Sequence, residues 1–431
     1  MWVRFWATAL LLAFASDVVA ALAGAATVAP ALSLPELLKE ARRTNPDLLA
    51  ARKRWEAMQA RIPQATGLPA PRISVEFEEI PRGTIKVNRS TIMYQLLQSL
   101  PFPGKLSLRH QVAVKEAQVA AMEFKKREWD VTSQVKSVYY DLFLLDRELD
   151  IQREQVTLLQ QASAATQARY SSGTGSQAEL LQAQMEVLEA SNERGVLEHR
   201  RLAMSAHLNH LLNRSVHEQV GQPVSIRLSP VPASPDQLMA QAVDQQPELL
   251  VFKFSAERAD ASWRLSKREL LPDLETMLEL RDPPMAPIGP WDLALALVLP
   301  FWFWTKEKYG VRVALRDKES AQAAYQAMLN EVAKRIHENW HEASAAYETA
   351  KLCQDGLIPL SRQAVTSALA AYQGGKGSFA ELLEALRRLN ERERTYYQHL
   401  AALEQRIVML EQSVGVPLRP DHAEPDEKEK P

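Results

Sequence analysis

Apolar residues recur at alternating spacings of four and three through Val131, Val135, Val138, Leu142, Leu145, Leu149, Gln152, Val156 and Leu159. This is a heptad seam with one polar member, Gln152, and it predicts a helix packed along its length on a neighbour. No Gly or Pro interrupts the chain between Gly104 and Gly173, and the intervening 68 residues would make a helix of about 100 Å at ~1.5 Å per residue. Such length argues for a coiled coil or helical array. At an offset of 201 the seam returns as Val332, Ile336, Asn339, Ala343, Ala346, Ala350, Cys353, Leu357 and Leu360. Its smaller residues let a neighbouring helix approach closely. Gly356 and Pro359 predict a break or bend that the first copy lacks. Cys353, on the seam, reads as a small core residue.

A second period, of two, marks four strands. Ile73, Val75 and Phe77 alternate with Ser74, Glu76 and Glu78, and Leu293, Leu295, Leu297 and Leu299 alternate with Ala294, Ala296 and Val298. Leu274 to Leu280 and Thr91 to Gln98 read as strands too. Apolar positions alternating with polar or small ones fit strands between lipid and lumen. Phe301, Trp302, Phe303 and Trp304 follow the last strand, where an interfacial aromatic belt would sit. Four strands cannot close a barrel, so other copies of the chain must complete it.

The chain is an internal duplication. Asn45-Pro46-Asp47-Leu48-Leu49 falls on Gln246-Pro247-Glu248-Leu249-Leu250, and Leu100-Pro101-Phe102 on Leu299-Pro300-Phe301. Tyr170 to Leu181 falls on Tyr372 to Leu383 at an offset of 202. The repeats span residues 33–214 and 234–416, each with the plan short helix, helix, two strands, very long helix, Gly turn, helix. A charged, Pro-containing tail, 419–431, is expected to be disordered.

Composition narrows the function. The chain has 431 residues and a net charge of −2, which gives no field for nucleic acid. A single cysteine excludes a disulfide framework. Arg4, the apolar stretch Phe5 to Ala15 and Ala23-Gly24-Ala25 read as a signal peptide over residues 1–25, with Val18-Val19-Ala20 as a second cleavage site. The longest later apolar run, Leu293 to Trp304, has 12 residues and contains Pro300, so no transmembrane helix is expected. No nucleotide-binding or Ser/His/Asp motif is present, and no cofactor is expected.

These features resemble the TolC family of outer-membrane efflux proteins over residues 33–416. The resemblance rests on the duplicated plan and on the paired motif Tyr-x-x-Gly-x-Gly-Ser at 170–176 and 372–378, followed by Ala178-Glu179-Leu180-Leu181 and Ala380-Glu381-Leu382-Leu383. The corner Pro101-Phe102-Pro103-Gly104-Lys105 looks like the version in the heavy-metal branch. The resemblance implies a mostly α protein with a transmembrane β-barrel. It would be a homotrimer of twelve strands in outer-membrane lipid above a long periplasmic helical tunnel. The tunnel tip would meet a periplasmic adaptor and an inner-membrane pump of the resistance-nodulation-division type. Within the family pattern Glu381 and Glu384 match an acidic gate and Tyr372 a gate tyrosine. Gly173, Gly175, Ser176, Gly375, Gly377 and Ser378 match adaptor-contacting tip turns. The gate arginine of some members falls on Gly377. For Glu381 and Glu384, ordinary first-turn helix glutamates remain an equal reading.

Two rival readings stay open. A soluble coiled-coil structural or adhesive protein would explain the helices but not the aromatic-flanked strands. His337-Glu338-Asn339-Trp340-His341 spells a zinc-protease motif, but it falls within a long helix and off the seam, with no third ligand at the usual spacing. His207 and His210, near a helix C-terminus, read as dipole-favoured surface residues.

Overall fold

The computed structural model describes residues 32–78, 91–282, 289–302 and 304–419. The expected signal peptide, Phe303 and positions 420–431 of the expected tail lie outside the described residues. The first repeat comprises α1 (Leu34–Thr44), α2 (Pro46–Thr66), β1 (Arg72–Glu78), β2 (Thr91–Leu100), α3 (Lys105–Ser171) and α4 (Gln177–Leu211). The second comprises α5 (Pro235–Gln245), α6 (Pro247–Arg268), β3 (Asp273–Asp282), β4 (Trp291–Val298), α7 (Glu307–Leu352), a π-helical turn (Cys353–Leu357), α8 (Ile358–Gln373) and α9 (Phe379–Val414).

The repeated Asn/Gln-Pro-acid-Leu-Leu motif is a helix restart. Asn45 ends α1 and caps α2, its side-chain oxygen accepting from the Asp47 and Leu48 amides at 2.9 and 3.3 Å. Pro46 follows where a missing N–H costs nothing. Gln246 and Pro247 do the same between α5 and α6.

The helices form a slab one layer thick. Near the sheet the order is α2, α3, α6, α7. Farther down it is α4, α3, α9 and then the α7–α8 rod. The strands form one antiparallel sheet in the order β1-β2-β3-β4, joining the two predicted hairpins at β2–β3. The seam buries Val135, Leu142, Gln152, Ile336 and Ala350 completely. Around mid-height Tyr139, Tyr140 and Phe143 pack with Leu37, Leu38 and Leu208. Lower down Val156 and Leu159 pack with Leu382 and Leu386.

The second seam departs from its predicted course after Cys353. Leu357 is half-buried and Leu360 is 64% exposed, while Val365 and Tyr372 are buried. The cause is the π-helical turn, in which the Ile358 amide donates to the Cys353 carbonyl. A π turn takes up one extra residue, so the buried face moves on by one position. Pro359, lacking an N–H, sits just beyond it at the start of α8. Leu145 and Asn339 are half-buried members of their seams. Arg419, where the disordered tail was expected to begin, is held in place. It donates to the Ser229 and Pro230 carbonyls at 2.6 and 2.8 Å and pairs with buried Glu404.

Candidate functional site

Three parts of the fold carry the chemistry expected of a conduit: the sheet, the corner below it and the helical tip.

The sheet has two unlike faces. Ile73, Val75 and Phe77 stand beside Leu96, Tyr94 and Ile92. Leu96 and Tyr94 stand beside Leu278 and Leu280, and these beside Leu293 and Trp291. All of them except Ile92 are exposed, so the apolar face is continuous across four strands. The other face is a polar network. Ser74 donates to Gln95 at 3.1 Å, and the Gln95 amide donates to Glu279 and Glu76 at 3.1 and 3.2 Å. Arg281 pairs with Glu279 at 3.0 Å and Asp292 at 3.4 Å. In water such an apolar face would mark a liability; facing lipid it is required. Phe301 and Trp302 are exposed, as is Trp304, whose ring lies 6.3 Å from that of Trp302.

The corner fastens the repeats together. Gly104 begins α3 with φ +94°, a conformation that suits glycine. The next residue, Lys105, is buried, and its ammonium donates to Asp273 at 2.7 Å and to the Leu271 carbonyl at 2.8 Å. The Phe102 amide also donates to Asp273, at 2.7 Å. The corner motif of the first repeat thus locks onto the start of β3 in the second.

At the tip, two turns of the same design join α3 to α4 and α8 to α9. Gly173 and Gly375 adopt φ +73° and +71°. The Gly175 and Gly377 amides each donate at 3.0 Å to a carbonyl six residues back, that of Arg169 or Ala371. Ser176 caps α4 through the Glu179 amide. Ser378 caps α9 through the Glu381 amide at 3.2 Å, and the Glu381 carboxylate accepts in return from the Ser378 amide. Glu381 is therefore a capping-box residue. Glu384 is exposed and pairs with Arg388 at 2.7 Å. Both acids line an open groove of 540 Å³ with Leu357, Leu360 and Ser361.

Tyr372 and its twin Tyr170 differ. Tyr170 is exposed and Tyr372 is fully buried. The Tyr372 hydroxyl is 2.8 Å from that of Thr166 in α3, and its ring lies 5.9 Å from Phe379. The Arg169 guanidinium sits 4.7 Å over the same ring. A side chain at Gly377, the family's arginine position, would press on Ala371 Cβ at 3.1 Å and the Tyr372 nitrogen at 3.2 Å. The arginine that touches the tyrosine here is Arg169, from the first repeat. The sequence carries no local sign of this pair, because its two members stand 203 residues apart in different repeats.

The His337 and His341 rings are exposed on α7 with centroids 6.4 Å apart. Glu338 lies 4.0 Å from Lys334. Among the described residues no group of three or more His, Cys, Asp or Glu converges on a point.

Comparison with known proteins gives one answer. The sequence profile described as "Outer membrane efflux protein" matches residues 37–214 and 238–416. The cobalt-zinc-cadmium resistance protein CzcC of Cupriavidus metallidurans is 20% identical over 391 residues, 89% of this chain and 90% of that protein. Among solved structures, CusC superposes with a TM-score of 0.77 at 17% identity, covering 91% of this chain and 94% of that one. VceC of Vibrio cholerae gives 0.76 at 15% identity, over 90% and 97%.

Proposed function

Because the chain belongs to the outer membrane efflux protein family, and is thus an outer-membrane exit channel rather than an enzyme, we propose that three copies close into one duct carrying divalent metal cations out of the periplasm. The observation that carries the assembly is the slab with two open edges. On one edge lie β1, α2 and α4; on the other lie β4, α7 and α8. The α4 edge presents Leu181, Met185, Leu188 and Leu202 to the outside, all more than half exposed. Open strands are not viable in lipid, so one copy's first edge meets the next copy's second edge. Two copies would give eight strands, whose interior side chains fill. Three give twelve strands and twelve tunnel helices around a lumen lined by the Gln95, Glu279 and Arg281 face.

At the tip, the gate reading rests on Tyr372, Glu381 and Glu384, and the adaptor reading on the paired glycine turns. An adaptor and an inner-membrane pump of the resistance-nodulation-division type complete the pathway. The metal substrate is supported by the name of the CzcC relative and by the Pro101 to Lys105 corner.

The test is size in detergent together with metal tolerance in cells. A detergent-dependent trimer is expected, and deletion in the native host should lower tolerance of zinc, cobalt or cadmium. A monodisperse, detergent-free monomer would sink the assembly. Unchanged tolerance of all three metals would sink the substrate.

A further inference from the structure

One line of contacts crosses the slab from edge to edge at a single height. Leu208, the neighbour of His207 on α4, lies in one buried cluster with Leu142, the neighbour of Asp141 on α3. Asp141 accepts from Gln405 of α9 at 2.6 Å. The adjacent Arg406 pairs with Glu342 of α7 at 2.8 Å and donates to Asn339 at 3.4 Å. His337 and His341 flank Asn339, and His210 lies one turn above His207. Four histidines therefore sit at matching height on the two open edges.

Their faces point outward. Val332, Ile336, Ala343, Ala346 and Ala350 turn toward the slab and are buried. At ~100° per residue His337 and His341 lie on the opposite side of α7. On α4, Ala190, Leu197 and Leu208 are buried, which puts His210 opposite them and His207 to one side. All four histidines are exposed.

We propose that neighbouring copies share a divalent transition-metal site, with His337 and His341 of one copy and His207 and His210 of the next as ligands. This rests on the ring assembly proposed above. Rotation about the tunnel axis leaves height unchanged, so closing the ring brings the two pairs together. Packed helices stand about 8–10 Å apart, a gap that imidazoles from facing helices span to hold one ion. Pairs four and three apart each lie on one face of a helix, so each pair can reach a single metal. Neutral imidazoles in a tetrahedral set suit Zn²⁺. Of the nearby carboxylates, Glu342 is engaged by Arg406 at 2.8 Å, and Glu338 stands 4.0 Å from Lys334. One chain alone supplies only half a site.

The experiment is equilibrium dialysis of the full-length, detergent-solubilised protein against Zn²⁺, with sedimentation velocity on the same sample. One tightly held zinc per copy is expected. His341→Ala and His210→Ala should each weaken binding by about tenfold or more. Co-expression of the two variants should restore tight sites, because in a mixed trimer an intact α7 face meets an intact α4 face. Trimers without tight zinc, or variants that bind like wild type, would overturn the site and leave the trimer standing. Absence of restoration in mixed trimers would overturn its intersubunit nature. A monomer would remove both the assembly and the site.

Discussion

Tyr372→Phe tests whether the second hairpin is latched to the first. The Thr166 hydroxyl already donates to the Ala162 carbonyl at 2.8 Å, so in the 2.8 Å contact with Tyr372 the tyrosine is the donor. The variant keeps the ring against Phe379 and Arg169 and deletes one buried neutral hydrogen bond, worth about 0.5–1.5 kcal/mol. If that bond exists only while α8 lies against α3, its loss shifts the closed-to-open ratio by roughly two- to twelvefold. Thr166→Val removes the acceptor and leaves a buried Tyr372 hydroxyl unpaired, costing about 1–3 kcal/mol. It should open the tip further, and the double variant should fall back to the level of Tyr372→Phe. The assay is single-channel recording in a planar bilayer, reading open probability. Open probability equal to wild type in both single variants, with trimers intact, would refute the latch.

Three further outcomes follow from the same geometry. Glu381→Gln with Glu384→Gln keeps a residue able to complete the capping box and removes two charges per copy, so block by multivalent cations should weaken if these acids ring the opening; unchanged block would make them surface charges. Gly415→Ala places a Cβ 2.7 Å from the Gln245 carbonyl oxygen at φ +82°, so the helix restart between α5 and α6 must shift, and thermal stability should fall by at least ~1–2 kcal/mol. Burial would raise the Glu248 carboxyl, but Lys126 and Arg335, at 2.6 and 3.0 Å, outweigh it and hold its pKa below the usual value. Its contribution to stability is therefore present above the unfolded carboxylate range and lost as pH falls through the lowered folded pKa. Glu248→Gln should flatten the acid limb of a melting-temperature profile, and a limb as steep as wild type would refute this.

Local pattern made most of the architecture legible. The heptad seam located α3, and Gly104 and Gly173 bounded it to within a residue of its observed ends. The pattern located all four strands, although β2 and β3 run two residues beyond Gln98 and Leu280, and β4 spans Trp291–Val298 rather than Leu293 to Leu299. The π turn was encoded in the shift of repeat offset from 201 at Val131 to 202 at Tyr170, which is one inserted residue. Read only as a bend at Gly356 and Pro359, it concealed the one-position rotation that exposes Leu360 and buries Tyr372. The cross-repeat contacts were not legible. Arg169 with Tyr372 and Lys105 with Asp273 are separated by more than 160 residues, and neither pair carries a periodic signal. Glu381 could have been assigned as a cap from Ser378 three residues earlier, a pattern that precedes α9 in the sequence itself.

The duplication also predicts the strand register at the proposed contact between copies. Within one chain β2 pairs with β3, setting Gln98 against Thr276 and Leu96 against Leu278. The repeats are alike, so the pairing of β4 with β1 of the next copy should reproduce this arrangement. The β2-to-β4 offset is 199 and the β1-to-β3 offset is 201. Carrying the register over sets Leu297 against Val75 and Leu295 against Phe77 of the neighbour. Both pairs fall on the apolar face, which a one-residue slip would turn into the lumen. Directly opposed residues in an antiparallel pair have Cα atoms about 4.5–5.5 Å apart, within the span of a disulfide. Leu297→Cys combined with Val75→Cys should therefore give a covalent trimer on oxidation. Leu297→Cys with Ser74→Cys should not, because Ser74 points to the other face. The readout is non-reducing electrophoresis after extraction from membranes, in which the native Cys353 is buried and forms no bridge. A monomer band from the first variant, or equal cross-linking from both, would mean that the edges meet in another register.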